Sequence, residues 1–178
     1  MTQRDTVSIL KQLVDLSEDS EKGFVRIAGA VTNPDLRGFF QRRSTDCAIA
    51  ATELKALVQS LGGLRPDGRA VSAAARPGWN MPRTTLKDAD LTALKVVEDA
   101  EDKAEAAYVA ALAVDLPHQI RSVLQRQHNS AVHSQTHIHE LRISYTTAQP
   151  VWPETGTSPA GLARAGVAAT AAHAPSRH

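Results

Sequence analysis

Between Asn33 and Gly63 the residues Leu36, Phe40, Arg43, Cys47, Ala50, Leu54, Leu57 and Leu61 follow one another at alternating spacings of four and three. That alternation places them on one face of a single helix, as an inward stripe. Both ends of the segment are punctuated. Asn33 can cap the helix, Pro34 suits its first turn, and Asp35 complements its positive end. Gly62-Gly63 offers the left-handed conformation that closes a helix. A long one-faced helix of this kind demands other helices to pack on.

The chain supplies three more. A first helix is predicted over 6–32, with Asp5 or Thr6 as its cap, and the second covers 34–61. So little lies between them that they form an antiparallel hairpin. A third is predicted over 88–114, with Leu91, Leu94, Val97, Ala104, Tyr108, Ala111 and Leu112 inward. Asp115-Leu116-Pro117 is another tight restart, and a fourth helix over 117–144 turns Ile120, Val123, Leu124, Ala131, Ile138 and Leu141 inward. Residues 62–87 hold prolines and glycines and read as a long connection, with one short helical turn in "AVSAAA". In a four-helix bundle a connection of that length lets the chain cross to the far end. After Tyr145 the periodicity stops. The expected organisation is a four-helix bundle over 5–145 and a flexible Ala/Thr/Pro-rich tail over 146–178, where Trp152 between two prolines docks on the bundle, stays free or serves as a short recognition element.

Composition narrows the function. The 178 residues suit one domain with a tail, large enough to bury a core without disulfides. With 20 basic and 19 acidic residues spread along the chain, no basic footprint for nucleic acid stands out, and scarce aromatics argue against base stacking. The start of the chain lacks the apolar region and cleavage site of a signal peptide, and no apolar run would span a bilayer. The single cysteine, Cys47, fits a reducing compartment. The expectation is a soluble, cytoplasmic protein that binds neither nucleic acid nor membrane. No phosphate loop, nucleophile elbow or zinc-finger spacing occurs.

Four stretches recur together in an order that carries a resemblance: "EDSEKGF" at 18–24, "NPDLRGFFQRRSTDCAIAATELKALVQSLGG" at 33–63, "RPGW" at 76–79 and "EDAEDKAEAAY" at 98–108. Over roughly residues 5–142 the chain resembles a bacterial family of ferritin-like four-helix-bundle proteins, a domain of unknown function. The resemblance implies an antiparallel bundle of the ferritin-like type and no established activity. There are two departures. The family often has His-Arg-Gly-Trp where this chain has Arg76-Pro77-Gly78-Trp79, and a histidine near the end of the fourth helix where this chain has Gln135.

One feature breaks the apolar pattern. On the first helix the inward stripe passes from Leu10, Leu13 and Val14 to Phe24, Ile27, Ala28 and Val31 by way of Ser17, Ser20 and Glu21. Glu21 lies as far before the first hairpin turn as Asp46 and Cys47 lie after it. Glu101 and His128 are similarly placed about the second turn near Asp115. Equal distance from an antiparallel turn means equal height, so Glu21, Asp46, Glu101 and His128, with Gln127 beside them, are expected in one mid-bundle layer. Glu53 and Glu98 lie one to two turns away. Carboxylates and an imidazole converging in a core are what a metal site needs. Di-iron bundles, however, repeat Glu-x-x-His on two helices. Here Glu53 is followed three residues on by Ala56, and Gln125 takes the acid's place before His128.

Two readings of the layer stand. In the first, its charges pair, Arg43 with Glu21 or Glu101, and the layer sets helix register in a non-catalytic bundle without cofactor. Such a protein would act in a stress-related or assembly role, as a homo-oligomer or through its tail. In the second, Glu21, Glu101 and His128 hold a divalent metal (iron, manganese or zinc) in a degenerate metal-binding or redox site. Elsewhere, His133 and His137 with nearby His139 read as a solvated face, and Cys47 as a small core residue rather than a nucleophile.

Overall fold

The computed structural model describes residues 2–63, 79 and 88–147. Most of the expected connection, with its "AVSAAA" turn, and the tail with Trp152 lie outside the described residues. Among those described there are four helices and no strand: α1 (Gln3–Ala30), α2 (Pro34–Ser60), α3 (Ala89–Leu112) and α4 (His118–Thr147). None of them is long and apolar enough to cross a membrane.

The helix starts follow from hydrogen bonding. Thr2, rather than the expected Asp5 or Thr6, caps α1. Its Oγ1 accepts from the Asp5 amide, while Asp5 accepts from the Thr2 amide at 2.9 Å. This reciprocal capping box satisfies two amide donors that have no helical partner. Asn33 caps α2 as expected, its Oδ1 accepting from the amides of Asp35 (2.8 Å) and Leu36 (3.2 Å). Beyond α2, Gly62 has φ +67°, the left-handed region that glycine enters without cost to a side chain.

The same bonds fix the topology. Asp90, in the first turn of α3, accepts from the amide (2.6 Å) and hydroxyl (2.8 Å) of Thr32 and from the amide of Asn33 (3.2 Å). Asn33 Nδ2 also donates to Tyr145 Oη at 2.6 Å. The α1–α2 turn, the start of α3 and the end of α4 therefore share one end of the bundle. At the other end, Gln3 donates to the Leu61 carbonyl, and Arg121 donates to the carbonyls of Leu112 and Val114. So α1 runs antiparallel to α2, α3 antiparallel to α4, and α2 parallel to α3. The α1–α2 and α3–α4 hairpins pack through α1 against α3, whereas the facing pair α2 and α4 meet much less.

The core comes in two halves. Leu10, Leu13, Leu54, Val58, Ile120 and Leu124 are buried in one. Phe24, Ile27, Phe40, Leu94, Val97 and Ile138 are buried in the other. The predicted stripes hold in outline, with small rotations: Ala51 and Val58 are buried on α2 where Ala50 and Leu57 were expected, and Leu91, Val123 and Leu141 are half-buried.

Candidate functional site

Between the two apolar halves each inward stripe turns polar. On α1 the sequence Leu10, Leu13, Ser17, Ser20, Phe24, Ile27 keeps its spacing through two buried serines. On α2 the buried residues after Phe40 are Arg43, Ser44 and Cys47. On α3 Glu101 interrupts Val97 and Ala104, and on α4 Gln127 and Ser134 flank Ala131. The opening anomaly on α1 is thus one quarter of a belt to which all four helices contribute.

Two networks satisfy it. In the first, Arg43 crosses from α2 to Glu101 on α3, with Nη2 at 2.8 Å and Nε at 3.1 Å from the same carboxylate oxygen. Ser134 Oγ on α4 donates to that oxygen at 3.0 Å. Arg43 Nη1 reaches Ser130 Oγ at 3.4 Å and lies 3.5 Å from Asp46. The guanidinium rests over the Phe24 ring, 5.6 Å from its centroid, so α1 closes this group as well. Arg43 is only 9% exposed and Glu101 3%. In the second network, Tyr108 Oη donates to Gln127 Oε1 at 3.2 Å, and Gln127 Nε2 donates to Glu53 at 2.9 Å. Arg126 then meets Glu53 at 2.7 Å at the surface.

The electrostatics match this geometry. Burial opposes the charge on Arg43, but the Glu101 carboxylate and its hydrogen bonds outweigh it and hold the guanidinium firmly protonated. Burial pushes the Cys47 thiol up to about 12. Arg43 works against that rise, while the carboxylates of Glu101, Asp46 and Glu21 add to it. Cys47 is therefore a thiol and not a thiolate at neutral pH, as a core residue should be. Hydrogen bonds from Gln127 and Arg126 hold the Glu53 carboxyl below its usual range.

A cleft of about 280 Å³ reaches the belt. Its inner wall is Ser17, Ser20, Glu101 and Tyr108 on α1 and α3, and its rim carries the more exposed Asp46 of α2 and Arg126 of α4. It therefore opens through the loose α2–α4 seam. The small side chains in the layer, Cys47, Ala50, Ala104 and Ala131, leave the room for it.

The expected site residues are placed differently from one another. Glu101 lies at the centre of the belt, as predicted. Glu21 is half-buried beside Cys47, one position round the helix from Ser20, so the serines and not the carboxylate face inward. The expectation that His128 shares the height of Glu101 is corrected. Glu101 meets Ser134 and Tyr108 meets Gln127, so His128 stands six residues from the Glu101 level, about 9 Å along α4. The second hairpin pairs about a point later than Asp115, since Glu101–Ser134 and Tyr108–Gln127 are both centred between Pro117 and His118. Both His128 ring nitrogens are shut from solvent with no hydrogen-bond partner among the described residues. Within those residues no three His, Cys, Asp or Glu side chains converge as metal ligands would. Glu98 lies one turn away and binds His139 and Arg142, linking α3 to the end of α4.

Sequence reasoning missed Ser130, Ser134 and Tyr108 as members of the belt. Their signal was available: Ile120, Leu124, Gln127, Ala131, Ser134 and Ile138 keep a four-three spacing only if the polar residues count as inward. Gln135, at the position where a histidine was expected by resemblance, donates to Asp102 at 2.7 Å on an exposed face, away from the belt.

No curated protein matches the chain. The family model described as a domain of unknown function (DUF2383) matches residues 5–114, from the first turn of α1 to just beyond α3, and the chain belongs to that family.

Proposed function

We propose that the chain is a non-catalytic ferritin-like bundle that works by binding or assembly, as a cytoplasmic homo-oligomer or through its C-terminal residues in a stress-related setting. Its polar belt is structural in this reading. The observation that carries it is the Arg43–Glu101 pair: the charge that a buried carboxylate requires comes from the chain's own guanidinium, anchored by Ser134 and covered by Phe24. A buried ion pair with its hydrogen bonds made favours one arrangement of helices over others. The up-down-down-up helix order supports the ferritin-like affiliation.

A second reading has its own support. Glu21, Asp46 and Glu101 all act on Cys47, against the single cation Arg43. A degenerate site for iron, manganese or zinc would draw on these carboxylates. Metal analysis of protein purified without an affinity tag, with melting curves in added Fe(II), Mn(II) and Zn(II), separates the two. The structural reading expects no stoichiometric metal and no shift in Tm. A concentration-dependent rise that Glu101→Gln abolishes would replace it with the metal reading.

A further inference from the structure

We propose that Trp79 is a latch whose seat on Gly23 and Phe24 holds Arg43 in the polar layer, so that withdrawing this one indole loosens the buried ion pair. The proposal rests on the reading of that pair as the structural centre of the belt, and extends it to how the belt is controlled.

Trp79 packs with the apolar half-core that contains Phe24, its ring centroid 5.0 Å from that of Phe24 at an interplanar angle of 60°. Gly23 is the reason it can do so. A Cβ on that residue would overlap the indole, contacting three of its ring carbons. Glycine in the interior of α1 costs the helix roughly 1 kcal/mol relative to alanine, so a buried helical glycine calls for a packing reason. The indole is that reason. It also explains why "EDSEKGF" and "RPGW" stand in one chain: the first contributes the notch and the second the ring that fills it.

Phe24 carries the effect inward. Its ring touches Trp79, tilts against Phe40 at 6.1 Å and bears the Arg43 guanidinium at 5.6 Å. Trp79, Phe24, Arg43 and Glu101 thus form a continuous line from the segment joining α2 and α3 to the centre of the bundle. With the indole gone, Phe24 loses one wall of its packing and meets water. Arg43 then loses the desolvated ring that holds it against Glu101. Anything that draws Trp79 from its notch would reach the belt by this line.

Cys47 is the natural reporter, because its thiol is buried in the same layer and its reactivity measures how often the layer opens. The experiment uses the full chain with Trp152→Phe, which leaves Trp79 as the only emitter of the two tryptophans. Gly23→Ala fills the notch while improving helix propensity, so a loss of order cannot be blamed on the helix. Trp79→Ala removes the ring directly and stands in if the first variant does not fold. Emission wavelength, acrylamide quenching, far-UV circular dichroism, the denaturant midpoint and the rate of reaction with Ellman's reagent are recorded. Gly23→Ala is expected to red-shift Trp79 and expose it to quencher at unchanged helicity. Both variants should speed Cys47 modification by about tenfold or more, beyond what any change in global stability accounts for. Arg43→Met should speed Cys47 while leaving Trp79 emission in place. Cys47 rates within about twofold of the parent in both latch variants would overturn the latch. If Arg43→Met alone accelerates the thiol, the pair's central role survives that result. If Arg43→Met also has no effect, the structural reading fails with it.

Discussion

Replacing Arg43 by methionine should be the most destabilising single change in the polar belt. Methionine keeps much of the unbranched stem that passes over Phe24 but removes the guanidinium. Glu101 then sits 3% exposed with, among the described residues, only the Ser134 hydroxyl donating to its bonded oxygen, where two guanidinium nitrogens had donated as well. Breaking a buried pair by deleting one partner costs about 3–5 kcal/mol, since the remaining charge is left desolvated and unpaired. Domain stability is typically about 5–15 kcal/mol, so about a fifth of it at the least would be lost. For a chain of this size each kcal/mol moves Tm by roughly 2–4 °C, which gives a fall of roughly 6–20 °C. Urea denaturation followed by circular dichroism at neutral pH measures the loss. The double variant Arg43→Met/Glu101→Leu should recover most of it, because an apolar replacement leaves no stranded charge. A single-variant loss below about 1 kcal/mol would refute the argument, since that is the range of an exposed, screened pair. A double variant as unstable as the single one would show that the layer's geometry, rather than its charge balance, holds it together.

Other outcomes follow from the same geometry. His128→Leu should leave stability unchanged or raise it by up to about 1 kcal/mol, because both ring nitrogens are buried without partners among the described residues; a loss measured by denaturation would show a bond made in solution. Burial raises the thiol of Cys47 from 9.0 to about 12 and the phenol of Tyr108 above 10.0, so the folded state keeps protons that the unfolded state releases. Their contribution is fully present below about pH 9 and lost as pH climbs towards about 12; denaturation midpoints should fall over that window, less steeply in Cys47→Ala. Asp90→Ala should cost about 1–3 kcal/mol by freeing the Thr32 and Asn33 amides, and hydrogen exchange at those two amides should quicken first. Removing 149–178 should change the denaturation midpoint little, because the inward apolar stripes of the sequence end by Leu141.

How far the fold could be read depended on what kind of signal encoded each part. The inward stripes, the Asn33 cap and the Gly62 stop are local, and local rules recovered them. Pairing heights across a turn are not local. The first hairpin allowed them because Asn33 fixes its turn to the residue. The second did not, because the restart at Asp115-Leu116-Pro117 leaves several residues free to belong to either helix, and α4 begins only at His118. That uncertainty of a few residues moved His128 from the Glu101 level to the Tyr108 level. Glu21 was misjudged for a different reason. A position on the helix flank differs from one on its face by about 100° of rotation, and charge drew attention to Glu21 when spacing favoured Ser17 and Ser20. Arg43 was legible as a belt cation, but its choice of Glu101 over Glu21 required the packing of α1 on α3.

The four stripes explain why such a bundle would keep charge in its core. Apolar faces with a repeat near seven residues are nearly self-similar, so two helices can slide by one heptad, about 10 Å, and still bury leucine against leucine. Here that slip is not neutral. Moved by seven residues, Glu101 would face Gln127 or Leu141 in place of Ser134, and Leu36 or Ala50 in place of Arg43. At least one charge would then be buried without its partner, at a cost of several kcal/mol, while the apolar contacts changed little. A register device of this sort needs every helix to contribute and every polar group to find its bond in one register, here at two levels, Glu101 with Ser134 and Tyr108 with Gln127. Ser17, Arg43, Glu101, Gln127 and Ser134 meet that requirement from four separate helices. The serine-rich interruption in α1 is therefore the complement of an arginine on α2 and a glutamate on α3: small side chains on one helix leave room for large charged ones on the others.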